Sequence, residues 1–288
     1  MTDLTPVYGL LGALPFECMG ERFMQQAFLA LLLLAPMAAA MGVQVVNFRM
    51  AFFSDAVSHS AFAGIGLGLV LALDPGWTMP LLGLMVGLGI TWLLRRTSLS
   101  TDTVTGVFFS GVVALGLALV SRDRGAARDV QRFLYGDILT VGDGDILKLA
   151  GLFGAVFVFQ VYSYNRMLYL GISRTLAKAH RVRVAPYQYV FAGLLSLVVM
   201  FSVRAVGVLL VTALLVVPAA TARNLASSAG GMFRWALAAS VVSAVAGLLI
   251  SAQEWAGTAT GATVVLVSCG LFLMSFLRPA FARRSPVS

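Results

Sequence analysis

The feature that most constrains this chain is a recurrence of apolar runs, each close to the length needed to cross a bilayer. A spanning helix needs about 20 mainly apolar residues, because the hydrocarbon core is about 30 Å thick and each helical residue rises about 1.5 Å. Runs of that kind fall near 24–46, 53–73, 76–94, 104–121, 143–162, 186–203, 205–221, 232–251 and 259–277. Breakers such as Asp74-Pro75-Gly76, Arg95-Arg96-Thr97-Ser98 and Gly230-Gly231 separate them. Composition agrees: 59% of the 288 residues are hydrophobic and only 11% charged, against about 25% charged in a soluble domain. So few charges cannot cover a water-exposed surface. The expected fold is all-α, a polytopic transmembrane helical bundle with about nine (eight to nine) spanning helices. It forms one domain over 1–288, with a short N-terminal segment 1–22. The pair of runs flanking Arg204 is the ambiguous one, either two crossings or a break in partly re-entrant helices.

The net charge of +8 is distributed by topology and does not point to nucleic acid. Basic residues gather in the short gaps between runs, as the excess of Lys and Arg in cytoplasmic loops requires. With the N-terminus outside and nine crossings, thirteen of the 20 basic residues fall inside. The outer segment 122–137 goes against this trend with four arginines, but it also carries Asp123, Asp129 and Asp137. It reads as an amphipathic stretch on the outer face. The N-terminus has no basic region ahead of an apolar core, so no cleaved signal peptide is expected. Cys18 and Cys269 show no metal-ligand or disulfide spacing. Neither Lys148 nor Lys178 stands in a GxxxxGK[ST] loop, so a pump built on this chain would take ATP from another subunit.

Ionisable groups inside a spanning run are expensive and therefore functional candidates. Ser54-Asp55-Ala56-Val57-Ser58-His59-Ser60 holds the best pair. Asp55 and His59, four residues apart, share one helix face, and a carboxylate with an imidazole can jointly ligate a first-row divalent metal. Two ligands make a weak site, which suits a path that must release what it binds. Spacing leaves the alternative open that Asp55 caps a helix and His59 is a hydrogen-bonded core residue. Ser58, between them, is a possible path-lining residue. Gly64 and Gly68 form a GxxxG that invites close packing of another helix. Asp102 reads as a helix cap. Pro218, lacking an N–H, must kink or end its helix. The longest polar insertion runs from Asn165 to Arg183, and within it Ser173 can cap a short amphipathic helix. Leu176 then falls on one face of that helix while Arg174 and Lys178 take the other. Such a helix lies on headgroups or docks a partner.

Together these stretches resemble the membrane permease of the ABC-3 family, the bacterial zinc- and manganese-type ATP-driven importers. Arg49-Met50 through Asp55-Ala56-Val57-Ser58-His59 is similar to the family's Arg-Met…Asp-Ala-Leu-Ser-His signature. Thr101-Asp102-Thr103 through Gly106, Phe109-Ser110-Gly111 and Ala114-Leu115-Gly116 resembles the next. Tyr135 to Leu139, Gly207 to Leu215, Pro218 to Arg223 and Gly261 to Leu266 follow in the family's order. The chain departs at Ala63-Gly64, where the family often has proline before glycine, and at Thr258-Ala259-Thr260, where an acidic residue and a proline are common.

The resemblance implies a permease subunit, not an enzyme, in the bacterial inner membrane. It implies a homodimer with its path on the two-fold axis, cytoplasmic ATPase subunits and an extracytoplasmic metal-binding protein. A coupling helix over 171–184 would carry Ser173, Arg174, Leu176, Ala177 and Lys178 to the ATPase. Asp55 and His59 would contact the transported zinc or manganese, with no permanently bound cofactor. Two competing readings are an ATP-independent secondary transporter with Asp55 as proton relay, and a membrane enzyme with Asp55 and His59 as acid and base.

Overall fold

The computed structural model describes residues 5–12, 17–121, 136, 138–173, 180, 183–253 and 255–282. Among them are ten α-helices and two short 3₁₀ turns, with no strand. A short α1 (Thr5–Gly12) precedes nine longer helices: α2 (Arg22–Asn47), α3 (Ala51–Leu71), α4 (Pro75–Arg96), α5 (Thr101–Val120), α6 (Asp143–Ile172), α7 (Val184–Val206), α8 (Val208–Leu225), α9 (Ala229–Ser251) and α10 (Thr260–Ala282). Eight are long and apolar enough to cross a membrane, and α8 adds a shorter apolar stretch over Val211–Leu225. The eight-to-nine expectation is met. Two boundaries differ from the sequence reading. Helix α6 continues through Asn165 and Arg166 to Ile172, so the polar insertion begins eight residues later than its composition suggested. Gly171 and Ile172 therefore belong to α6, and Val184 opens α7. Ser173 is an extended residue capping α6, while Arg174, Leu176, Ala177 and Lys178 lie outside the described residues, as does nearly all of 122–137.

Caps set the helix starts. The Asp74 carboxylate accepts from the Gly76 N–H at 2.8 Å and Pro75 opens α4, the position where a missing N–H costs nothing. At α5 the cap is Ser100, whose hydroxyl accepts from the Thr103 N–H at 3.1 Å. This corrects Asp102, which sits in the first turn and complements the helix dipole there. Helix α1 is tied back to α6 and α2 through one carboxylate. Tyr8 donates to Asp143 Oδ1 at 2.6 Å, Gln26 to the same oxygen at 2.7 Å, and Arg22 to Oδ2 at 2.8 Å. Burial, together with the Asp143 carboxylate it bonds, pushes the Tyr8 hydroxyl up to about 12.

Helix α2 is the most deeply buried helix and packs on α9, α8 and α6, whereas α3 packs on α5 and α4. Helix α8 touches α2 and α3 alike, joining the two halves of the bundle. With no hydrophobic force between helices in lipid, contact rests on small residues and interhelical hydrogen bonds. Gly64 and Gly68 do what their spacing suggested: a Cβ on Gly64 would stand 2.7 Å from Met79 Cα, and one on Gly68 2.7 Å from Thr78 Oγ1. Thr78 also donates to the Gly64 carbonyl at 2.7 Å. On α2, the Ala40 carbonyl accepts from Gln160 of α6 at 2.9 Å and the Ala35 carbonyl from Ser240 of α9 at 2.8 Å.

The ambiguous break near Arg204 is a joint of one residue. Gly207 both ends α7 and begins α8, with φ 87° and ψ 157°. That conformation is essentially closed to residues bearing a Cβ, at a cost of about 1–3 kcal/mol. Gly207→Ala is therefore expected to lower the melting temperature of the purified protein. An unchanged melting temperature would show that the joint relaxes without strain.

Candidate functional site

The first half of α3 is where the sequence placed its chemistry, and the helix presents it on one face. Between Phe52 and Phe62 only Phe52, Asp55, His59 and Phe62 keep partial exposure, while every residue between them is buried. The spacing of three, four and three residues is that of a single helical stripe. Asp55 is inside the helix, since α3 begins at Ala51 with no side-chain cap at Met50. The capping alternative for Asp55 is thereby removed.

Each member of the pair is held by a bond that leaves a ligand atom unspent. Thr212 of α8 donates to Asp55 Oδ1 at 2.7 Å. A hydroxyl donor fixes the carboxylate and leaves Oδ2 for another partner. His59 Nδ1 lies 2.9 Å from the Asp55 carbonyl oxygen. A carbonyl only accepts, so this bond requires Nδ1–H, and the neutral ring then carries its lone pair on Nε2. Fixing one imidazole nitrogen by a backbone carbonyl is how metal-binding histidines are oriented. The ring is held edge-to-face by Phe109 of α5 at 4.9 Å and by Phe62 at 5.8 Å between centroids.

Ser58 is fully buried, off the partly exposed stripe, and donates to the Asp55 carbonyl at 2.9 Å. Pro218 stands inside α8, which runs on unbroken to Leu225, so it is not a helix end. Ser173 caps the C-terminal end of α6, far along the chain from the pair. Thr212 and Phe109 are the members that sequence reasoning missed. Thr212 did carry a signal, as the lone hydroxyl in the apolar stretch Val208 to Val217.

Among the described residues no cluster of three or more His, Cys, Asp or Glu side chains comes together. One protomer thus brings together one carboxylate and one imidazole on a stripe that the rest of the protomer leaves partly exposed. That set can hold a divalent cation only loosely, and it gains a full complement if a second copy faces it.

The profile of the ABC 3 transport family matches residues 20–279. The high-affinity zinc uptake system membrane protein ZnuB of Haemophilus influenzae is 32% identical over 254 residues, covering 88% of this chain and 96% of that protein. The manganese import system permease protein ScaB of Streptococcus parasanguinis is 29% identical, over 88% of this chain and 90% of its own length. Among solved structures, PsaBC from Streptococcus pneumoniae in complex with Fab is similar with a TM-score of 0.77 and 29% identity, over 89% of this chain and 91% of that one. The match spans every long helix. The chain is a multi-pass permease of the bacterial cytoplasmic membrane, not an ATPase itself, and it belongs to the ABC 3 transport family.

Proposed function

We propose that this permease imports a divalent transition metal, zinc or manganese, past Asp55 and His59. The observation that carries the reading is the α3 stripe itself. An oriented carboxylate oxygen and an imidazole lone pair, four residues apart, lie on a face left partly open by the protomer. Borderline metals favour such nitrogen and oxygen donors, and relatives named for zinc uptake and manganese import support the choice of cargo. Two protomers related by a two-fold axis bring two copies of each ligand, the number a tetrahedral metal needs. Helix α5 supports such pairing, because Ser110, Gly111 and Ala114 are small and exposed beside the stripe. The N-terminus then lies outside. An extracytoplasmic binding protein delivers metal to that face, and cytoplasmic ATPase subunits dock on 171–184. ATP-driven closure of those subunits shifts the balance between outward- and inward-open states, because they bind the two differently. The reading of Asp55 as a proton relay has no support from the family.

The test is metal uptake by proteoliposomes holding this chain, its ATPase and its binding protein. Zinc, manganese and iron(II) are compared with and without ATP. ATP-dependent accumulation of one metal is the expected result. Uptake indifferent to ATP, or driven by a pH gradient alone, would overturn the proposal.

A further inference from the structure

A second site lies away from α3, at the end of the bundle that the arginine asymmetry assigns to the cytoplasm. A cleft of about 550 Å³ opens between the last turns of α6 and the first turns of α7, with Arg166, His180 and Arg183 at its rim and Phe159, Tyr187 and Val190 among its walls. Among the described residues, no acidic one lines it. The sequence deepens the asymmetry, since no Asp or Glu occurs anywhere between Asp145 and Glu254. The rim is built: Arg166 donates to the Tyr187 hydroxyl with its guanidinium 5.3 Å from the ring centroid, and His180 stacks on Tyr169 at 4.5 Å.

Depth separates the two characters of the cleft. Phe159 precedes Arg166 by seven residues on α6, about 10 Å toward the membrane interior. Phe157, Val158, Val161 and Tyr162, at that same depth, are all exposed on α6, as the flank of a helix bathed in hydrocarbon is. A cationic mouth at headgroup level above an apolar trough fits one class of ligand, a diacyl lipid with an anionic phosphate headgroup. Basic pockets between spanning helices on the cytoplasmic side recognise such headgroups. We propose that the α6–α7 cleft binds one anionic phospholipid, its phosphate at Arg166 and Arg183 and an acyl chain along Phe159 and Val190. The inference is independent of the cargo assigned to α3.

The test titrates phosphatidylglycerol against phosphatidylcholine into the full-length chain in neutral detergent, counting bound lipid by native mass spectrometry. Preferential binding of phosphatidylglycerol is expected. Each arginine near a headgroup contributes about a factor of five, so R166Q/R183Q should weaken binding about 30-fold. Arg183 is exposed at the start of α7, so R183Q alone tests the site without disturbing the bundle. V190W keeps the charges and fills the trough, and it should also weaken retention. R96Q, an exposed arginine stacked on Trp92, should leave it unchanged. Wild-type affinity in R183Q and R166Q/R183Q, or an equal loss in R96Q, would overturn the site. Retention in V190W, or displacement of the lipid by inorganic phosphate at matched concentration, would overturn the lipid and leave a phosphate site.

Discussion

Replacing Gly42 with alanine is expected to unseat α8 from α2 and to destabilise this protein strongly. A Cβ at position 42 would stand 2.0 Å from the Leu215 carbonyl oxygen and 3.0 Å from its carbonyl carbon. Both are main-chain atoms of a helix, so no side chain can swing aside to make room. Overpacking a tight contact costs about 1–3 kcal/mol even where side chains can yield, and a backbone contact belongs at or above the top of that range. Helix α8 also carries Thr212, so the displacement reaches Asp55. The measurement is thermal unfolding in detergent, with Gly154→Ala as control because nothing lies within 4 Å of a Cβ there. A large drop for Gly42→Ala beside an unchanged Gly154→Ala is the expected pair of results. Equal melting temperatures would show that α2 and α8 do not pack as described.

The second large effect is on transport. Asp55→Asn keeps the shape of the side chain and an acceptor for Thr212, yet removes the negative charge. Metal uptake should fall by about 100-fold or more, since even loss of a residue that merely orients a metal ligand costs about 10–100-fold. His59→Ala should do the same by removing Nε2. Thr212→Val, which deletes the donor to Asp55 Oδ1 and leaves both ligands in place, should fall within that 10–100-fold range. All three substitutions are judged at equal folded yield, with ATPase binding intact. The ordering is the informative part. Wild-type uptake in Asp55→Asn would remove the α3 stripe from the path while leaving the family assignment untouched. A Thr212→Val loss equal to that of Asp55→Asn would make the interhelical bond, and not the charge, the decisive element.

Much of this was legible in the sequence because lipid imposes a length. All nine long helices lie on runs found by counting apolar residues. The clearest failure is the C-terminal end of α6, where Tyr164, Asn165, Arg166 and Tyr169 look like a loop. Backbone bonding continues past the hydrocarbon there, because interfacial aromatic and arginine side chains are at home at headgroup level. The pairing of Asp55 with His59 was legible from a spacing of four. Its partner Thr212 was not, since the bond joins residues 157 positions apart and local pattern carries no such information. Nor did spacing give the protonation pattern of His59, which depends on where the Asp55 carbonyl points. Gly64 and Gly68 announced themselves as a motif. Gly42 did not, although it follows Ala38, Ala39 and Ala40, the kind of small-residue surface on which helices approach closely.

The one-residue joint at Gly207 has a mechanical meaning. Two helices separated by a single residue are related by essentially two torsion angles, and no slack lies between them. Thr212 sits five residues beyond that pivot, about 7.5 Å along α8. A change of a few degrees at Gly207 therefore arrives at the Asp55 carboxylate as an arc whose radius is already fixed. The C-terminal end of α7 and the Asp55–His59 pair of α3 are parts of one lever with its fulcrum at a glycine.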